Sequence, residues 1–133
     1  KYIYKFKNLI NFLLKMNKNV SRKKIFVLVL PCSGHVNPVV GIINKLVTRN
    51  VHVIMYSTQQ FKPLIEKTGA EYREYSSTID LNNFFNLKFN ESKDIFLKLV
   101  IYLVKKARLL LPNLVQDVLN ERPDLIIYDI NSI

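Results

Sequence analysis

His35 is the residue whose type and setting could do acid–base chemistry. It stands in Pro31-Cys32-Ser33-Gly34-His35-Val36-Asn37-Pro38, after the apolar run Ile25 to Leu30. An imidazole titrates near neutral pH, so it can take a proton from a bound hydroxyl. A carboxylate behind it would fix its tautomer and stabilise the imidazolium that forms. Asp129, directly after the apolar run Leu125 to Tyr128, is the candidate for that carboxylate. The plainer alternatives are a loop histidine capping a neighbour and a turn residue closing a strand. The joint placement of the two favours the functional pair.

That placement depends on the elements around it. Ile25 to Leu30 is continuously apolar with β-branched residues, the pattern of a strand covered on both faces of a parallel sheet. Pro31 ends it, and Gly34 permits a tight turn with positive φ. Asn37 and Pro38 predict a helix start, with asparagine as cap and proline in the first helical position. Val39, Ile42, Ile43, Leu46 and Val47 follow at helical spacing, and Val51 to Tyr56 reads as the next strand. The unit is βαβ, with a right-handed crossover. His35 then sits in a loop past the carboxyl end of the first strand, where open α/β sheets bind ligands. The helix end nearby offers N–H groups to a phosphate or an oxyanion.

Further on, Gln59 to Thr68 predicts a short helix closed by Gly69. Glu71 to Tyr75 alternates as an exposed or edge strand would. Ser76 to Ser92 reads as a long polar loop around Leu81, Phe84, Phe85, Leu87 and Phe89. A helix is expected from Ser92 to Leu111, with Ile95, Phe96, Leu99, Val100, Leu103, Ala107 and Leu110 as its apolar face and Lys98, Lys105, Lys106 and Arg108 in solvent. Pro112 should kink or restart it, and Leu114, Val115, Val118 and Leu119 continue the face. Leu125 to Tyr128 is the last buried strand. The expected fold is α/β, a Rossmann-like doubly wound parallel sheet. In the order 3-2-1-4 the first and fourth strands are neighbours, which puts Asp129 beside the loop carrying His35.

Composition narrows the functions. The net charge of +10 is concentrated at the amino end: residues 1–24 hold eight Lys/Arg and no acid, and residues 25–133 hold twelve against ten. The remainder is nearly balanced and shows no basic stripe for nucleic acid. The single cysteine, Cys32, forms no internal disulfide, which suits a cytoplasmic protein. As a nucleophile Cys32 would need His35 as its base, and a small buried residue at a strand end is the favoured reading. No Cys/His/carboxylate spacing suggests a metal site. Residues 1–22 form a basic amphipathic extension, with Tyr2, Ile3, Phe6, Leu9, Ile10, Leu13 and Leu14 at helical spacing. Two accounts of it stand: a helix lying on an anionic membrane, if residues 1–15 are native, or upstream read-through before a start at Met16. A nicotinamide-binding domain is disfavoured, because the loop lacks G-x-G-x-x-G and no acid ends the second strand.

Ser33-Gly34-His35-Val36-Asn37-Pro38, then Thr48-Arg49-Asn50-Val51-His52-Val53 opening a strand, then the segment Phe61 to Ser77, agree in order and spacing with one family. The chain resembles, over Lys23 to Ile133, the N-terminal domain of family 1 nucleotide-sugar-dependent glycosyltransferases of the GT-B fold, and within them the macrolide-type branch. Asn50 departs from the family's usual glycine, and Cys32 also differs. The resemblance implies that residues 23–133 form a truncated acceptor-binding domain and that a nucleotide-binding domain would follow. It implies inverting transfer of a hexose from a UDP-sugar to a hydroxyl of a small, largely apolar acceptor. By it, His35 is the base and Asp129 its orienting partner. Ser33 and Gly34 would contact the donor or leaving group, and Phe84, Phe85 and Phe89 would line the acceptor pocket. No metal or cofactor is implied, the UDP-sugar being a co-substrate. The isolated piece is expected neither to bind donor well nor to turn over. Two rivals remain. One is a lipid-linked GlcNAc transferase of the cell-wall MurG type, whose Gly-Gly-His is here reduced to Gly34-His35. The other is an inactive remnant that only binds small molecules.

Overall fold

A computed structural model describes residues 22–75 and 95–129. The amino-terminal extension and the acceptor candidates Phe84, Phe85 and Phe89 lie outside these residues. Four parallel strands form one sheet in the order β3-β2-β1-β4. They are β1 (Lys24–Leu28), β2 (His52–Ser57), β3 (Glu71–Glu74) and β4 (Leu125–Tyr128). Between them run α1 (Ser33–Val47), a 3-10 turn (Gln59–Phe61) leading into α2 (Lys62–Glu66), and α3 (Ile95–Glu121).

The apolar runs form strands because both sheet faces are covered. Ile25, Val27, Val29, Val53 and Met55 pack with Val36, Ile43 and Leu46 of α1 and Ile65 of α2. Phe26, Leu28, Ile54, Tyr56 and Tyr75 pack on the other face with Leu110 of α3, joined by Leu114, Val118 and Ile126. Right-handed crossovers explain the split: the chain moves one way from β1 to β3, then back over the sheet to β4, which puts α3 opposite α1 and α2. The β3 strand lies at an edge, as its alternation suggested.

The end of α1 accommodates Asn50 without a glycine. Asn50 lies in the left-handed region, φ 63°, its N–H donates to Val47 C=O at 2.9 Å, and Val51 N–H donates to Leu46 C=O at 3.1 Å. That is the Schellman pattern. Gly69 ends the α2 segment with φ 82°, where a Cβ would also stand 3.0 Å from Val47 Cγ1.

Two helix expectations need correction. The helix α3 does not restart at Pro112 but runs through it, with Leu110, Leu114 and Val118 on either side packing on the same sheet face. Its sides also differ from the expected ones. Val100, Val115 and Leu119, expected inside, are exposed, as are Leu97, Ile101, Val104 and Leu111. A helix apolar on several sides does not declare its core face by periodicity.

Polar contacts set that face. The Arg73 guanidinium donates to Glu121, to Glu71 at 2.6 Å and to the Tyr56 hydroxyl at 3.1 Å, and lies 5.5 Å from the Tyr56 ring centroid. Tyr56 donates to Asp117 at 2.7 Å, and Lys24 holds the other Glu121 oxygen at 3.2 Å. The Arg73 hydrogen bond, opposed by burial and aided by Lys24, keeps the Glu121 carboxyl below its ordinary value of 4.5. A carboxylate whose pKa is depressed by folding stabilises the fold above its unfolded value, and that contribution is lost as pH falls through the lower folded value. Glu121→Gln should therefore destabilise the chain at pH 7 by about 1 kcal/mol or less, the range for a partly exposed ion pair. The difference should shrink as pH falls below 4.5 and vanish only below the lower folded value. Urea unfolding across a pH series measures it, and a pH-independent difference would rule out this origin.

Candidate active site

The sheet brings His35 and Asp129 together. Leu28 pairs with Tyr56 on one side and Tyr128 on the other, so the carboxyl ends of β1, β2 and β4 are level. Asp129 leaves β4 one residue later and donates its N–H to Leu28 C=O at 3.1 Å. Its side chain lies on the α1 side of the sheet, where Asp129 Oδ2 meets His35 Nδ1. Both side chains are part-exposed, and His35 Nε2 has no partner among the described residues. An imidazole held at Nδ1 by a carboxylate, with Nε2 open, is arranged to accept a proton at Nε2.

His35 does not lie in a loop. The helix α1 begins at Ser33, so His35 is its third residue. Cys32 is the cap residue, in extended conformation and without a side-chain cap bond, whereas Asn37 and Pro38 are inside the helix. Cys32 C=O accepts from the N–H groups of His35 at 3.0 Å and Val36 at 2.9 Å, which closes the first turn. Ser33 and Gly34 contribute first-turn N–H groups with no intrahelical acceptor. Gly34 is helical, not at positive φ, and a Cβ added there would meet nothing within 4 Å. Neither backbone conformation nor packing demands glycine at this position. Cys32 is partly buried, its side chain against the α3-side cluster.

The connection from β1 to α1 is tied at every carbonyl. Asp129 N–H reaches Leu28 C=O; the Tyr75 hydroxyl donates to Val29 C=O at 3.1 Å; Cys32 N–H donates to Leu30 C=O at 2.8 Å; Gln60 Nε2 donates to Pro31 C=O at 3.5 Å. Tyr75 and Gln60 were not singled out by the sequence, where one is a strand-end aromatic and the other an exposed polar residue. Burial raises the Tyr75 phenol's pKa, the Val29 hydrogen bond opposes this, and the Asp129 carboxylate adds to the rise. The second histidine, His52, lies at the amino end of the sheet beside Lys24 and contacts Glu71 Oε2 at 2.9 Å.

The architecture is that of a doubly wound parallel α/β domain with a histidine–carboxylate pair at the carboxyl ends of its central strands. No protein-family model matches the sequence. The chain is 29% identical over 110 residues to NDP-glycosyltransferase YjiC of Bacillus licheniformis, a match covering 83% of this chain and 28% of that protein. It is 30% identical over 100 residues to NDP-glycosyltransferase YjiC of Bacillus subtilis (strain 168), covering 75% of this chain and 24% of that protein. The chain thus spans about a quarter of the length of the curated relatives it matches. The crystal structure of CalG4, the calicheamicin glycosyltransferase, superposes with a TM-score of 0.71 at 22% identity, over 85% of this chain and 28% of that one. The glycotransferase of kitacinnamycin does so with a TM-score of 0.65 at 22% identity, over 85% and 26%. On these matches the chain is a relative of the family 1 glycosyltransferases of the GT-B fold, corresponding to one part of their length.

The Asp129 contact has a direct spectroscopic consequence. With the carboxylate present, Nδ1 of His35 should carry the proton at high pH and Nε2 should not. Asp129→Asn should mix the two tautomers, visible as convergence of the two ring nitrogen shifts in long-range 1H–15N spectra. Unchanged ring shifts in Asp129→Asn would mean that the carboxylate does not set the tautomer.

Proposed function

We propose that this chain is the acceptor-side part of an inverting glycosyltransferase that moves a hexose from a UDP-sugar to a hydroxyl of a small, largely apolar acceptor. The observation that carries the reading is the His35–Asp129 contact at the carboxyl end of the sheet, with Nε2 left open among the described residues. In the proposed step, Nε2 takes the acceptor's hydroxyl proton. The oxygen's electron pair forms a bond to the anomeric carbon, the bond from that carbon to the diphosphate oxygen breaks, and the nucleoside diphosphate leaves with its electrons. Asp129 holds the ring and stabilises the imidazolium. The reading assigns activation to this base and gives no role to a metal or a resident cofactor.

The start of α1 suits the donor side. Ser33 and Gly34 N–H groups, at the positive end of a fifteen-residue helix, can face the sugar oxygens or the departing diphosphate. Open space where a Gly34 Cβ would be supports a close approach to the backbone there. The names of the relatives, both NDP-glycosyltransferases, support the transferase class. A match to the macrolide-type branch, a cytoplasmic setting, and an acceptor wall formed by Phe84, Phe85 and Phe89 belong to the same proposal. The nucleotide-binding half is assigned to polypeptide beyond this chain, so the chain alone should neither bind donor well nor turn over. Donor affinity equal to that of a full-length relative would overturn that assignment.

The activity is testable by replacing the matching stretch of the Bacillus subtilis relative with this chain and assaying a panel of nucleotide sugars and apolar acceptors. In the chimera, His35→Ala should lower turnover roughly 10²–10⁴-fold, the range for a lost general base. Gly34→Ala should leave thermal stability unchanged or higher, alanine being the better helix former. It should cost roughly tenfold or more in turnover, because a methyl group would displace the bound donor. Turnover by His35→Ala at the parent rate would reject the mechanism.

A further inference from the structure

We propose that Tyr75 is a positioning residue for the His35–Asp129 pair, acting through its hydrogen bond to Val29 C=O. The inference deepens the reading above and rests on it for the pair's role in transfer; the geometry it concerns can be tested without turnover. Tyr75 lies just past β3, two strands away from β1, and only 7% of it is exposed. Its ring packs 5.8 Å from that of Tyr56, and its N–H donates to Ser57 C=O at 3.2 Å, so ring and backbone are both fixed. From there the hydroxyl crosses over β2 to Val29, the first residue after β1.

The position of that acceptor gives the contact its consequence. Leu28 C=O, one residue earlier, holds Asp129 N–H. Cys32 C=O, three residues later, holds His35 N–H. The Val29 carbonyl therefore lies between the anchors of the two members of the pair. With Leu30 C=O satisfied by Cys32 and Pro31 C=O by Gln60, the connection has no untied carbonyl at which to flex. Tyr75 reaches this connection from the end of β3 and is itself tied to the sheet, so it transmits the position of β3 to the pair.

The test uses the 15N-labelled 133-residue chain and reads the ring nitrogen shifts of His35 and the exchange rate of its Nδ1 proton with water. Asp129→Asn defines the signature of a broken pair. Tyr75→Phe keeps the ring and removes the hydroxyl. It should move the His35 shifts part of the way toward the Asp129→Asn values and speed exchange roughly three- to tenfold, as expected for one lost hydrogen bond. Ile54→Val, a core change on the same sheet face with no bond to the connection, should leave both readouts at the parent values. Parent-like His35 signals in Tyr75→Phe, with Asp129→Asn altered, would overturn the inference while sparing the pair. Parent-like signals in Asp129→Asn would instead sink the pair itself. If Tyr75→Phe fails to fold, 3-fluorotyrosine at position 75, which keeps the ring and hydroxyl but alters the hydroxyl's donor strength, is read in the same way: displaced His35 signals support positioning by Tyr75, and parent-like signals refute it.

Discussion

The parallel pairing of β1 with a neighbour on each side is the constraint on which the site depends. It makes the carboxyl ends of β1 and β4 level and places residue 129 next to the chain leaving β1. Side chains alternate along a strand, so Ile127 and Asp129 share the α1 side while Ile126 faces α3. A slip of one residue would turn Asp129 to the α3 side, away from His35. The strand sequence Leu-Ile-Ile-Tyr, apolar on both faces, cannot by itself forbid that slip. Asp124 can. Its N–H donates to Lys24 C=O at 2.8 Å, its carboxylate accepts from Lys24 N–H at 2.9 Å and from Lys23 Nζ at 2.6 Å. One aspartate locks the register at the amino end, and another uses it at the carboxyl end.

The start of α1 matters for the same reason. A histidine in an irregular loop would be held only by its own contacts. In the first turn of a helix, the ring's direction is fixed by a backbone that the core already anchors through Val36 and Ile43. The same turn brings Ser33 and Gly34 N–H groups beside it, so in the proposed mechanism base and anion donors share one rigid support.

The strands, their order and the His35–Asp129 encounter were legible in the sequence because each rests on apolar runs and one topological rule. The helix start was not. Asn37-Pro38 is a strong start signal, yet Pro38 is the sixth residue of α1, where its missing N–H leaves Gly34 C=O without its usual intrahelical partner. Val36, fully buried, is the apolar contact that extends the helix upstream of the signal. The inner face of α3 was also hidden. Its apolar residues surround the helix, and the selection is made by Asp117 and Glu121 turning inward to Tyr56 and Arg73. In sequence, Arg73 has Glu71 two residues away as a visible partner, whereas Glu121, the partner that orients α3, lies 48 residues away.

Those inward acids link the two ends of the sheet. Glu121 closes α3, and after Arg122, at φ 46°, the chain enters β4. Where β4 begins is therefore set by where Glu121 is held, between Arg73 of β3 and Lys24 of β1. Most of α3's other side is apolar and exposed, so hydrophobic burial alone would accept more than one rotation of the helix about its axis. The ion pairs choose among these rotations, because any other would strand two carboxylates away from their cations. The charges on Lys24, Arg73 and Glu121 thus help to set which residue of β4 emerges at the carboxyl end. The meeting of Asp129 with His35 depends on the Asp124 and Glu121 contacts as well as on the pair itself.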